Sequence, residues 1–196
     1  MNWLLFAAIG VLLVVLDASV MQVLRVGEIW PAAAPGLVAF VALWAARPTV
    51  PWAAFLLGVL QDLSTPTVVA DGEVVRVIGP AALGWLFGTA ALLPLRRVLL
   101  RRHPVAIGAA TVVLSCFAGL VWGGIWILRG VLHGDPMPWP PGGASTALGT
   151  VGLEAMSNGL VAIPLAWGLM RLGGWWRFPG GGWSAVGSRG FGPRRS

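Results

Sequence analysis

Two stretches near the middle of the chain decide the fold. Residues 52–62 read WAAFLLGVLQD, and residues 78–88 read IGPAALGWLFG. Both are almost wholly apolar, both contain glycines that allow another helix to approach closely, and the first ends on the carboxylate of Asp62. Apolar runs of this kind predict membrane-spanning helices, because a helix satisfies its backbone hydrogen bonds internally where water is absent.

The composition extends this prediction to the whole chain. Of its 196 residues, 57% are hydrophobic and 10% are charged, whereas soluble domains are typically about 45–50% apolar and about 25% charged. One cysteine cannot form an internal disulfide, and two isolated histidines do not make a zinc site. The sequence therefore predicts an all-α polytopic membrane protein.

Six apolar segments are predicted to span the membrane, since a helix needs about 20 mostly apolar residues to cross the hydrocarbon. They cover residues 3–24, 29–46, 50–70, 75–95, 104–128 and 145–172. Polar residues and Pro66 follow the apolar part of the third segment, which predicts that this helix either kinks or stops short. Residues 1–172 are thus predicted to form a six-helix transmembrane domain. Residues 173–196 are predicted to form a disordered, basic Gly/Trp/Arg-rich tail.

The arginines predict the orientation of the spans. Residues 96–102 contain four arginines, and the positive-inside rule places this loop in the cytoplasm. Alternation then puts both termini inside, with ten arginines inside and three outside, namely Arg25, Arg76 and Arg129. Residues 1–172 hold nine arginines and seven acids, a net charge of +2, so a nucleic-acid-binding surface is not predicted.

Three acids, Asp17, Asp62 and Glu154, fall inside predicted spans, where an ionised carboxylate is costly. The helical rise places all three in the outer half of the membrane. One interpretation is a polar site, such as a proton relay or a cation site. The other is that each acid bonds a helix end, a hydroxyl group or an outer arginine (Arg76 or Arg129), and this second interpretation is favoured.

Two G-x-x-x-G motifs, Gly84 to Gly88 and Gly119 to Gly123, place pairs of glycines on one helix face. They predict close packing within the bundle, with a partner interface as the alternative. The chain has no Gly-x-Ser-x-Gly, phosphate-loop or His-Glu-x-x-His motif. Neither catalysis nor a cofactor or metal is therefore predicted.

The central block resembles the rod-shape-determining MreD family. The resemblance rests on the G-x-x-x-D motif from Gly58 to Asp62, on the small-residue start of the next helix at Gly79 and Ala82, and on the arginine-rich loop that follows. It covers residues 30–103, whereas the longer, more charged loop between Asp62 and Gly79 and the tail after Leu172 depart from the family pattern.

The resemblance implies a non-enzymatic scaffold of the cell-elongation machinery in the bacterial inner membrane. It implies MreC as the direct partner, with MreB, RodA and a class B penicillin-binding protein as indirect ones. It also implies a fold similar to the S components of energy-coupling-factor transporters, a six-helix bundle with an outward-facing cavity. The candidate partner or cavity residues are then Asp17, Asp62, Glu154, Gly58, Gly79, Gly84 and Gly88.

The alternative is a true S component that binds a vitamin. S components carry an A-x-x-x-A pattern in their first helix, but here Ala7 and Ala8 are followed four residues later by Val11 and Leu12. The missing pattern favours the scaffold.

Overall fold

The computed structural model describes residues 1–21, 23–25, 27, 29–69, 72, 74–96, 103–134, 137–139, 143–176 and 178. Within these ranges the protein is mostly helical. The helices are α1 (Trp3–Ser19), α2 (Ala34–Trp44), α3 (Val50–Ser64), α4 (Pro80–Leu95), α5 (Pro104–His133), α6 (Ala144–Arg171) and the short α7 (Gly173–Trp176). A 3-10 turn, Arg47–Thr49, precedes α3, and two short strands, β1 (Thr67–Val68) and β2 (Val74–Val75), lie between α3 and α4.

Caps and prolines set the helix boundaries. The Asn2 side chain accepts a hydrogen bond from the Leu5 N–H at the start of α1. Prolines stand in the first turns of α2, α4 and α5, where the missing N–H leaves no hydrogen bond unmade. At the end of α5, Gly134 adopts the left-handed conformation, with φ 68°.

The third helix stops short, which is one of the two outcomes that the sequence predicts for it. It ends at Ser64, and β1 then pairs with β2 in an antiparallel hairpin whose register places Thr67 opposite Val75. The hairpin fills part of the long segment between Asp62 and Gly79 and returns the chain to the start of α4.

Helix α2 lies at the centre of the bundle and packs against α1, α3, α4, α5 and α6. Every residue from Ala34 to Leu43 is buried. Because α2 is short and surrounded by other helices, both of its ends lie inside the bundle. The unpaired N–H and C=O groups at these ends therefore need hydrogen-bond partners from the protein.

The helices alternate in direction, so two ends of the bundle can be named. The acid end contains Asp17, Asp62 and Glu154, which lie at the end of α1, at the end of α3 and in the first half of α6. The arginine end contains Arg47, Arg96 and Arg171, which lie before α3, after α4 and at the end of α6.

The ordered bundle extends beyond the predicted domain boundary at Leu172. Residues 173–176 form α7, and Trp176 is fully buried, with its ring 5.2 Å from that of Phe40 and stacked on Phe178 at 5.5 Å. The Trp176 Nε1–H donates to the Leu169 carbonyl, and the Asn2 N–H donates to the Trp176 carbonyl. Residues 173–176, which the sequence assigns to a disordered tail, are therefore part of the helical bundle, because the Trp176 ring packs into it.

Two helices in the described ranges, α5 and α6, are long and apolar enough to cross a membrane. Helices α1 to α4 have 17, 11, 15 and 16 residues, which is fewer than the roughly 20 residues of a typical span. The helical fold class is thus observed, whereas the six-span topology stays a prediction. The loop of residues 97–102 and residues 179–196, on which part of the orientation argument rests, lie outside the described residues.

Candidate functional site

The Asp62 side chain holds the start of α4. Its Oδ2 accepts hydrogen bonds from the Gly79 N–H at 2.9 Å and the Ala82 N–H at 3.2 Å, and its Oδ1 accepts one from the Ala81 N–H at 2.9 Å. Residue 80 is a proline and has no N–H to satisfy. The carboxyl group, which is 6% exposed, therefore satisfies the free donors of a helix N-terminus.

Glycines on both sides of this cap allow it to form. A methyl group at residue 58 would lie 2.5 Å from the Cα and 2.8 Å from the N of Ala82, so Gly58 allows α3 and α4 to touch backbone to backbone. Gly79 has φ 130°, a conformation that L side chains rarely adopt. The residues that carry the family resemblance thus form one local unit. Gly58 allows α3 and α4 to come into contact, and Asp62, one turn later, bonds the start of α4.

The Asp17 side chain does the same for α2. Its Oδ1 accepts from the Ala33 N–H at 2.7 Å and its Oδ2 from the Ala34 N–H at 3.0 Å. Asp17 is 8% exposed, and residue 35 is again a proline. A buried carboxylate thus caps the central helix as well.

Helix α6 completes the cap on α2. The Asn158 Oδ1 accepts from the Ala32 N–H at 2.7 Å, while its Nδ2 donates to the Ser115 Oγ of α5 at 3.1 Å. The Glu154 carboxylate, one turn away on α6, accepts from the Trp30 N–H. Since residues 31 and 35 are prolines, every backbone N–H from residue 30 to residue 35 bonds a side chain of α1 or α6.

The structure therefore brings together two of the three predicted acids. Asp17 and Glu154 converge on the chain that leads into α2, whereas Asp62 serves a separate helix start. Of the two interpretations of these acids, the hydrogen bonds support the one in which each acid bonds a helix end or the backbone beside it.

The opposite end of α2 is held by a positive charge. The Arg96 Nη1 donates to the carbonyl of Ala45, the residue that caps the C-terminus of α2, at 2.7 Å. The buried helix thus has a carboxylate at its N-terminus and a guanidinium at its C-terminus, which matches the direction of the helix dipole. Protein side chains thus bond the N–H groups of Ala33 and Ala34 at one end of α2 and the Ala45 carbonyl at the other.

The G-x-x-x-G motif of α4 packs inside the bundle. A methyl group at Gly84 would lie 2.8 Å from the Ala118 Cα, and one at Gly88 would lie 2.6 Å from the Leu114 Cδ1, both on α5. In the motif of α5, Gly119 packs against Val151 of α6, but no described residue outside the adjacent turns of α5 comes within 4 Å of a methyl group placed at Gly123. Packing within the bundle is thus confirmed for Gly84, Gly88 and Gly119.

Sequence reasoning missed three residues of this arrangement: Asn158, Ser115 and Arg96. Asn158 and Ser115 were detectable as polar residues inside apolar spans, where an amide or hydroxyl group needs a partner. The sequence places Arg96 only in a basic loop, and nothing local in it indicates that the side chain reaches Ala45, which lies 51 residues earlier.

In the described part of the chain, no group of three or more His, Cys, Asp and Glu side chains is arranged to hold a metal ion. Comparison of the chain with protein-family models, curated proteins and solved structures finds no match. Any assignment of function therefore rests on the sequence resemblance and on the geometry described above.

Proposed function

We propose that this protein is a non-enzymatic scaffold of the bacterial cell-elongation machinery, similar to the MreD family. In this proposal it binds MreC in the inner membrane and, through MreC, helps to position MreB, RodA and a class B penicillin-binding protein for peptidoglycan synthesis. The proposal includes six membrane-crossing helices with both termini in the cytoplasm.

One observation carries the proposal. The residues that resemble the family motif, from Gly58 to Asp62 and from Gly79 to Ala82, form a single interlocked helix start in the fold. A resemblance that rests on a short, mostly apolar motif is stronger when the carboxylate and the glycines of that motif lie together in the fold. The geometry supports the resemblance because it gives each of these motif positions a physical role.

The use of the buried acids favours a scaffold over the S-component alternative. A ligand cavity needs polar atoms that face the ligand, but the carboxylate oxygens of Asp17 and Asp62 are bonded to backbone N–H groups of this chain. These bonds fix the relative positions of α1 and α2 and of α3 and α4. A fixed bundle that presents a constant surface suits a binding partner.

The contact between Asn2 and α7 supports the topology. The hydrogen bond between the Asn2 N–H and the Trp176 carbonyl places the start of α1 and α7 at the same end of the bundle, as an even number of crossings requires.

The test of the proposed orientation uses single cysteines in a Cys116→Ser background. A membrane-impermeant thiol reagent added to intact cells should label a cysteine at Arg76, an exposed residue near the acid end, but not one at Trp175. The opposite pattern would overturn the proposed orientation.

Co-purification tests the function. The tagged chain, expressed at native level in a rod-shaped host together with MreC, should retain MreC in mild detergent, and its depletion should round the cells. A Gly149→Ala variant, changed at a position with open space around it, should retain MreC as the unaltered chain does, because its fold should be unaffected. Absence of MreC from repeated purifications would refute the proposal, and a vitamin-uptake defect with normal cell shape would support the S-component alternative.

A further inference from the structure

An apolar groove runs along the outside of the bundle between α1 and α3. Its volume is about 270 Å³. The buried side chains of Phe6 and Leu57 form its floor. Its walls are formed by Trp3, Ala7, Gly10, Val11, Leu56 and Leu60.

The groove begins at the arginine end and covers about half of the membrane. Helices α1 and α3 run in the same direction, and Gly10 faces Leu57, which places Trp3 level with Val50, the first residue of α3. From Trp3 to Val11 the helix rises roughly 12 Å, which is close to the roughly 15 Å of one leaflet's hydrocarbon. The groove therefore matches the depth of a single leaflet.

The shape of the groove suits a single hydrocarbon chain. Its α1 wall follows one face of that helix for about two turns, and residues of α3 face it. All of these lining residues are apolar, as an acyl chain requires.

The end of the bundle at which the groove begins carries the features of a headgroup site. Arg47 is exposed in the turn that leads directly into α3, one helical turn below the level of Trp3. Trp3 and Trp52 are 42% and 64% exposed at the same level. Exposed indoles are typical of the membrane–water interface, and an arginine there attracts anionic lipids.

We propose that this groove binds one acyl chain of an anionic phospholipid, whose phosphate lies beside Arg47 in the leaflet at the arginine end. The inference rests on the membrane location included in the proposed function, but it does not depend on MreC. The apolar walls hold the chain, and the charge of Arg47 selects the headgroup.

Native mass spectrometry of the full chain in detergent tests the proposal with phosphatidylglycerol and phosphatidylcholine of identical acyl chains. We expect the protein to retain one phosphatidylglycerol with an affinity about fivefold higher than that for phosphatidylcholine. Arg47→Gln should abolish this preference. Arg76→Gln, which removes the same charge near the acid end, should leave it unchanged.

Two neighbouring alanines test the groove itself. Ala7 and Ala8 are both exposed on α1, but only Ala7 lines the groove. Ala7→Phe should weaken the binding of both lipids at least fivefold, whereas Ala8→Phe should not. Val11→Trp, at another exposed wall position, provides a second variant that fills the groove without touching the buried core.

Three results would overturn the proposal. They are equal retention of the two lipids, equal effects of Ala7→Phe and Ala8→Phe, and a loss of self-association in Ala7→Phe with lipid retention unchanged, which would assign the groove to a second copy of the chain. Because the readout is lipid retention, failure here would leave MreC co-purification intact. Loss of MreC with normal lipid retention would instead refute only the proposed function.

Discussion

Asp17 and Asp62 occupy equivalent positions in two successive helical hairpins. Asp17 near the end of α1 bonds the Ala33 N–H at 2.7 Å, and Asp62 near the end of α3 bonds the Gly79 N–H at 2.9 Å, across 16 and 17 residues. Each target segment carries a proline in the first turn of the helix that follows. In each of the first two helix pairs, a buried carboxylate near the end of one helix therefore accepts hydrogen bonds from the start of the next helix.

Replacement of Asp62 should destabilise the protein. Asp62→Ala leaves three backbone N–H groups near the protein interior without their acceptor, and each unsatisfied buried donor costs about 1–3 kcal/mol. Asp62→Asn keeps one acceptor oxygen and should lose less. Thermal unfolding in detergent, followed by circular dichroism, should rank the variants as wild type, Asn and Ala in falling order of midpoint.

Thr65→Ala is the control for this series. Its hydroxyl group is exposed and donates only to the Gln61 carbonyl of the same helix. We expect a change within about 0.5 kcal/mol, as for most surface substitutions. A midpoint for Asp62→Ala equal to that of Thr65→Ala would show that the cap on α4 does not contribute to stability.

A double-mutant cycle should detect the shared cap on α2. Asp17 and Asn158 bond adjacent N–H groups, those of Ala33 and Ala32, from opposite sides of the same helix start. Loss of either side chain frees the segment to move, so Asp17→Ala and Asn158→Ala should be non-additive, with a coupling of about 0.5–3 kcal/mol in unfolding free energy.

The cycle of Asp17→Ala with Asp62→Ala is the matched comparison. These carboxylates bond different helix starts, so their effects should add within about 0.5 kcal/mol. Additivity in both cycles would mean that Asn158 and Asp17 act independently, which would contradict a single polar cap built by α1 and α6.

Much of the helical order was predictable from local sequence. The predicted starts at Trp3, Val50 and Pro104 agree with the structure, because caps and prolines act within a few residues of their position. The predicted ends of the first and third spans, at residues 24 and 70, are too late. Apolar composition continues past Ser19, but hydropathy does not report where the backbone turns to meet the next helix.

The site was predictable in its residue types but not in its connections. A carboxylate within an apolar span must have a partner, so the sequence alone indicates Asp17, Asp62 and Glu154. Their partners are backbone N–H groups, and every residue has one except proline. Which N–H group donates to which carboxylate, Ala33 to Asp17 and Gly79 to Asp62, therefore follows from the packing of whole helices, which spacing along the chain does not give.

Two glycines of similar sequence context should respond differently to alanine. Gly84 lies against the backbone of α5, where a methyl group would be 2.8 Å from the Ala118 Cα, so Gly84→Ala should force α4 and α5 apart at a cost of about 1–3 kcal/mol. Gly123 has open space around its Cα, and Gly123→Ala should stabilise α5 by up to about 1 kcal/mol. Thermal unfolding of the two variants should thus give shifts of opposite sign, and equal shifts would contradict the close α4–α5 contact.

Replacement of each of the two adjacent tryptophans in α7 should distinguish a buried packing residue from a surface residue. Trp176 is fully buried against Phe40 and Phe178 and bonds both Leu169 and Asn2, whereas Trp175 is 69% exposed. Trp176→Ala should therefore lower the unfolding free energy by about 3 kcal/mol or more, since it opens a cavity and removes the hydrogen bond from its indole. Trp175→Ala, which removes the same ring from the surface, should change it by less than about 1 kcal/mol. Unfolding in detergent gives both values, and equal losses would show that α7 does not anchor the C-terminal segment to the bundle.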